Sequence, residues 1–275
     1  MNTAPDGDSL HFLPDHPDSL AQNWPDLRRH PDGAITVRLD GVDAPETHYL
    51  ASGGLGVLRQ PAPWPEMAAE SLLRFLGFAA LRRRSDECIV ATTPAAVHGA
   101  IALRRVDRYG RAVAFAFRGH VSLPPAGRLT LTAPVVESSA NWQLLWQGLA
   151  YPVFYQDMPD GLKAHLCQAS RAAQSAGRGL WPQDCTRSGF ALTSLDALQC
   201  QGLLWPKLFR RLVDHVGGNG GRLSLSSFGA LLEAEVGSVL LWEQDCPVDF
   251  ADLVALEGNR LRLLVAPDAI AFAED

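Results

Sequence analysis

The stretch VRLDGVDAPETH, residues 37–48, carries the first reading of both fold and chemistry. Val37 and Leu39 alternate with polar neighbours, which is the pattern of a β-strand. Gly41, Pro45 and Thr47 then end that strand. Asp43 and Glu46 are placed at its tip, with Arg38 a few residues upstream. Acidic groups beside an arginine at a strand end form either an exposed ion pair, contributing about 0–1 kcal/mol, or a chemical site. The segment alone leaves both open.

Working outward, the chain of 275 residues is 47% hydrophobic, enough for one full core and a second, smaller unit. A net charge of −6 gives no bulk attraction to nucleic acid, so any such contact needs a local basic patch. Five cysteines, Cys88, Cys167, Cys185, Cys200 and Cys246, are widely spaced and form no CxxC pair. They are read as buried free thiols in a reducing compartment, not as a disulfide framework or zinc site. The start, MNTAPDGDSLHF, has neither the basic nor the apolar region of a signal peptide. No apolar run reaches the roughly 18 residues of a membrane span. The chain as written is expected to be cytoplasmic, without a membrane partner.

Residues 1–50 read as extended segments, with a Pro- and Asp-rich excursion, HPDSLAQNWPDLRRHPDG, between two strands. LASGGLGVLRQPAPWP, residues 50–65, reads as a loop too broken for a regular element. A helix follows, with Pro65 at its first position, Glu66 in its first turn and Met67, Leu72, Leu73, Phe75 and Leu76 as its apolar stripe. AIALRRVDRYGRAVAFAF is two alternating runs around DRYGR, a hairpin. Residues 120–136 read as a loop. SANWQLLWQGLA is a helix capped by Ser139, and DGLKAHLCQASRAAQSAG a second that ends near Gly177 or Gly179. Trp142 and Trp146, four apart, share a face expected to pack into the core.

Two other pieces belong with the opening stretch. DGDS at 6–9 sets Asp6 and Asp8 around a glycine before a strand, and DRYGR sets Arg111 just after a tight turn. Clustered carboxylates supply the oxygen ligands of a hard divalent cation. Arginine forks neutralise the charge that grows on a phosphate under attack, and a further carboxylate can orient or deprotonate water. Carboxylates and arginines arriving together on separate turns point to phosphodiester hydrolysis.

The series DGDS…VRLDGVDAPETH…RVDRYGRAVAF…WQGLAY…QASRAAQSAGRGLW resembles the staphylococcal (thermonuclease-type) nuclease family, over about residues 6–183 with insertions near 14–33, 50–63 and 119–136. The resemblance implies an α+β fold: an OB-type five-stranded barrel packed with helices. It implies a calcium-dependent nuclease cleaving DNA or RNA with little sequence preference, magnesium or another divalent ion being the alternative cofactor. Asp8 and Asp43 match the carboxylate metal ligands, and Ala44 would offer a backbone carbonyl. Glu46 matches the general base, and Arg38 and Arg111 the phosphate-binding arginines. Tyr109, Phe154 and Tyr155 are the substrate-binding candidates, Phe154 and Tyr155 falling where relatives stack a base and Phe154 equally suiting the core. Asp40 has no counterpart and is expected to be solvated. Arg59, Arg104, Arg105 and Arg108 are the other basic candidates. Relatives place a barrel strand before DGD, where only five residues stand here. Either the barrel is completed by another segment or the start lies upstream, which would allow a secreted or periplasmic location.

The boundary is read at 186/187, giving a nuclease-like unit, 1–186, and a C-terminal α/β accessory region, 187–275. That region shows two apolar helical patterns, the break VGGNGG, and a late strand pair split by EGN. It carries no catalytic motif, and a protein partner for it is allowed without support. LWPKLFRRLVDHV is amphipathic, and its polar side with Lys207, Arg210 and Arg211 is expected to be a solvated face. The competing function, from a different class, is a non-catalytic OB-type module that binds nucleic acid or protein.

Overall fold

The computed structural model describes residues 6–84, 89–119 and 129–273. From the turn at Asp6–Asp8 the chain enters β1 (Ser9–Phe12), makes a short helix α1 (Pro17–Asn23) inside the polar excursion, and returns as β2 (Ile35–Leu39). In β2 the alternation has its expected meaning: Ile35, Val37 and Leu39 are buried, and Thr36 and Arg38 face the other way. Gly41 turns the chain into β3 (Val42–Asp43). The Gly/Pro stretch read as a loop holds a small hairpin, β4 (Tyr49–Leu50) with β5 (Val57–Leu58), around a 3-10 turn at Ser52–Gly54.

Helix α2 (Trp64–Leu76) follows with its stripe of Ala68, Ala69, Leu72, Leu73 and Leu76 buried. Met67 of the expected stripe is exposed. Strands β6 (Ala80–Arg83) and β7 (Ile89–Thr93) pair with each other, and β8 (Gly99–Val106) and β9 (Ala112–Arg118) form the hairpin around DRYGR. Cys88 and most of the 120–136 loop lie outside the described residues; α3 (Ala133–Glu137) occupies its end. Helix α4 (Ala140–Gln147) is capped by Ser139, whose hydroxyl accepts from the Trp142 N–H at 3.2 Å. Strands β10 (Tyr151–Pro152) and β11 (Phe154–Tyr155) and helix α5 (Asp160–Ser175) complete this part.

The remainder contains β12 (Phe190–Ala191), α6 (Leu195–Cys200), α7 (Pro206–Gly218), α8 (Phe228–Glu235), β13 (Ser238–Leu241), β14 (Cys246–Asp249), β15 (Val254–Glu257), β16 (Arg260–Leu263) and β17 (Ile270–Phe272). Strands β15 and β16 are the late pair expected around EGN.

The fold is mixed α+β with several sheets, and the expected five-stranded barrel is not closed. One sheet runs β1-β2-β9-β8, with β2 and β9 parallel. Closure needs hydrogen bonds between its outer strands. Among the described residues β1 and β8 stand at opposite edges and do not pair, while β3 pairs with β10 in a separate ribbon.

Two apolar cores form. One gathers β2, β9, α2, α4 and α5 around Phe115, Leu72, Leu144 and Leu166. The other gathers Trp205, Leu208, Phe209, Leu212, Phe228 and Phe250, yet also takes in Leu58, Tyr151, Val153 and Leu180 from earlier in the chain. Strand β17 pairs parallel with β11, setting Phe154 opposite Ala271. The C-terminal region thus shares both core and sheet with the rest. Leu212→Ala, at a fully buried position of α7, is expected to cost about 2–5 kcal/mol by denaturant unfolding.

Three expectations about side chains change. Trp142 and Trp146 do share a face, but they stack on each other at 5.0 Å with Trp146 39% exposed and capped by Arg178 at 4.1 Å. Trp142 packs against the core as expected, while Trp146 lies at the surface, its ring covered by Trp142 on one side and by the Arg178 guanidinium. Asp40 is not solvated: it is buried and accepts from Arg104 Nε at 2.6 Å, an arginine that also pairs with Asp157. Of the four described cysteines, Cys167 is buried, Cys185 half-buried, and Cys200 and Cys246 exposed.

Candidate active site

The turn DGD is set by contact, not by its own preference. A Cβ on Gly7 would lie 2.5 Å from Ala68 Cβ on α2 and 2.8 Å from Ala44 Cβ, so only glycine lets the turn lie flat against both. This brings Asp8, buried, over the end of β2. Asp8 Oδ2 accepts from the Ala44 N–H at 2.7 Å, and its Oδ1 pairs with Arg38. Asp6 beside it accepts from the Thr47 hydroxyl. Burial and the neighbouring Asp8 push the Asp6 carboxyl above its usual range.

Arg38 bridges two carboxylates, since its other nitrogen meets Asp43 Oδ1 at 2.5 Å. The sequence places Asp8 and Asp43 at two strand ends, and antiparallel pairing of β1 with β2, Ser9 opposite Arg38, brings those ends together. Glu46 follows at the next turn. Its N–H donates to Gln60 Oε1 at 3.1 Å, and its carbonyl accepts from the Gln60 N–H at 2.9 Å. The fully buried Gln60 donates in turn to the Leu204 carbonyl at 2.6 Å, just ahead of α7.

The group that sequence reading missed is Arg210, on the face of α7 expected to be solvated. Its Nη2 meets Asp43 Oδ2 at 2.9 Å, its Nη1 meets Asp43 Oδ1 at 3.2 Å, and Nη1 also pairs with Glu46. Lys207, one turn earlier on that face, is buried and donates to the Tyr155 hydroxyl at 3.1 Å. Spacing put these cations on one side of a helix; buried acids across the interface make that side an internal one.

Electrostatics follow from this packing. Burial favours a neutral Asp43, but Arg210 and Arg38 outweigh it and hold the carboxyl below its usual range. Burial pushes Glu46 up to about 7, against the pull of Arg210. Burial disfavours charge on Arg38, yet Asp8 and Asp43 hold its guanidinium above the ordinary arginine range.

Arg111 reaches the same region from another strand. Strands β2 and β9 are parallel, Arg38 lies opposite Val113, and Arg111 just precedes β9. Arg38 and Arg111 line one small cleft with Arg105, Asp107, Val153 and Tyr155. Asp107 Oδ2 accepts from Arg111 Nε at 2.7 Å. Tyr109 is 53% exposed beside Arg108 and Arg111. Arg105 and Lys207 lie over the Tyr155 ring at 4.5 and 4.7 Å. Phe154 differs: it is fully buried with its ring edge-on to Trp242, so it presents no face to a substrate. The odd–even alternation of a strand puts these adjacent aromatics on opposite sides. Arg59 pairs with Glu66 away from this cleft.

A family model described as staphylococcal nuclease homologue matches residues 36–183, more than half of the chain. The chain belongs to the staphylococcal nuclease family. Membership indicates a nuclease or nucleic-acid-binding domain, in a family whose members are generally calcium-dependent. No curated protein matches the chain. The match stops before α7, so Arg210 lies outside it.

In this arrangement the side chains do not fit a metal ion. Both oxygens of Asp8 and both of Asp43 already accept from protein donors. Among the described residues no group of three or more His, Cys, Asp or Glu is placed to hold a metal ion. The contact from Ala44 runs through its N–H, not the expected carbonyl. No helix among the described residues is long and apolar enough to cross a membrane.

Proposed function

We propose that this protein hydrolyses phosphodiester bonds of DNA or RNA with little sequence preference, and that it requires a divalent cation, calcium by preference, which would bind only once the guanidinium contacts that now occupy Asp43 and Glu46 open. The observation that carries the reading is the gathering of Asp8 from the DGD turn, Arg38 from β2, Asp43 from the end of β3 and Glu46 from the turn after it, beside the Arg38–Arg111 cleft. In this reading Arg38 and Arg111 bind the scissile phosphate through planar forks that match its oxygens. Glu46, held through its backbone by Gln60, orients the attacking water or takes its proton. Tyr155, which lines the cleft, and the exposed Tyr109, whose ring lies under Arg111, are the substrate contacts. The accessory role for residues 187–275 belongs to the same proposal.

A second reading is favoured by the guanidinium pairing of Asp8, Asp43 and Glu46: a binding module in which these acids serve as an ion-pair network. The two separate in one assay. Single-stranded DNA, duplex DNA and RNA are incubated with the full chain under calcium, magnesium or chelator. Cleavage with calcium that chelator abolishes is expected; retention of nucleic acid in a gel shift without cleavage under any metal supports the binding module instead.

A further inference from the structure

Arg210 carries an inference that rests on the nuclease reading and goes beyond it. The geometry points to Arg210 as an internal cation that competes with a divalent ion for Asp43 and Glu46, so that the C-terminal region keeps the site closed to metal. A hard cation needs free carboxylate lone pairs. Arg210 takes both oxygens of Asp43 and one of Glu46, and it cancels a unit of the negative charge that attracts such an ion. Arg38 and the Ala44 N–H hold Asp8 at the same time.

The helix that brings Arg210 is fastened on both sides of it. One turn before, Lys207 bonds the Tyr155 hydroxyl and lies 3.9 Å from the centre of the Phe272 ring. One turn after, Asp214 accepts from the Tyr49 hydroxyl at 2.5 Å and from the Ser52 N–H at 3.0 Å. Further on, a Cβ on Gly53 would lie 2.0 Å from the Gly217 carbonyl oxygen, so helix and turn touch through backbone alone. The Arg210 side chain is 23% exposed, so in this proposal the site opens by a swing of that side chain while α7 stays in place. Deleting the C-terminal region is not a clean way to open the site, because β17 and the shared core would go with it.

The test uses the full chain as wild type, Arg210→Gln and Arg210→Lys. Calcium binding is measured by calorimetry, thermal unfolding with and without calcium, and cleavage of single-stranded DNA separately. Arg210→Gln is expected to bind calcium roughly tenfold more tightly or better, the affinity equivalent of one charge-assisted hydrogen bond. Calcium should also raise its Tm more than that of the wild type. Arg210→Lys keeps the compensating charge and loses the two-pronged grip, so a gain of about threefold is expected. It serves as the deciding variant if Arg210→Gln does not fold. Calcium affinity no higher than wild type in the folded variants overturns the inference, even if the wild type cleaves DNA. Tighter calcium binding without any cleavage upholds the inference and counts against the nuclease reading.

Discussion

Glu46→Gln is expected to slow phosphodiester cleavage by roughly 10²–10⁴-fold, the range for acid–base assistance by a placed carboxylate. Gln keeps the shape and can still accept from Arg210 through its amide oxygen, and the backbone bonds from residue 46 to Gln60 do not depend on the side chain. The fold should therefore survive. Losing the charge also loosens Arg210, which by itself favours metal entry and a faster reaction. The two effects have opposite signs, so a fall in rate reports lost chemistry. Rates are compared at saturating calcium, with calcium binding followed separately by calorimetry. An unchanged rate removes Glu46 from the mechanism; rate and calcium binding lost together make it a metal ligand.

Arg38→Lys is expected to do more than its partner Arg111→Lys, although both arginines fall on the same type of motif position. Each should lower the rate by on the order of 10²-fold or more, because an ammonium cannot make the two parallel bonds a guanidinium makes to phosphate. Their stabilities should separate. Arg38 bridges buried Asp8 and buried Asp43, and one ammonium cannot reproduce both contacts. Losing one charge-assisted bond there costs about 1.5–3 kcal/mol. Arg111 is partly exposed and pairs with Asp107 on its own hairpin, so Arg111→Lys should leave denaturant stability within about 1 kcal/mol of wild type. Near wild-type cleavage in both variants would argue against the phosphate clamp. Equal loss of stability in both would argue against Arg38 as the central bridge.

Much of the nuclease-like part was legible because its signals are local. The alternation in β2, the Ser139 cap of α4 and the glycine turn between β8 and β9 are fixed by residues within a few positions of each other. The hairpin inside residues 50–65 was missed because two-residue strands have no period to read. Asp40 was misplaced because nothing near it in sequence names Arg104 as its partner, 64 residues away. Phe154 and Tyr155 were separable only once the neighbours of their strand were known.

Amino-acid order alone determined which groups the strand ends carry: Asp8 next to a glycine ahead of a strand, Arg38 on the polar side of a strand, Asp43 and Glu46 around a proline. It also determined that Lys207, Arg210 and Arg211 share one side of a helix, since their spacing follows the helical repeat. Only the tertiary structure decided what that side meets. Periodicity orders residues around their own axis and is blind to the partner across an interface. Arg210 meets acids 164 and 167 residues away through the packing of α7 against the rest of the chain. Once those carboxylates are buried, leaving them without a nearby cation is costly, and the guanidinium becomes part of the interior.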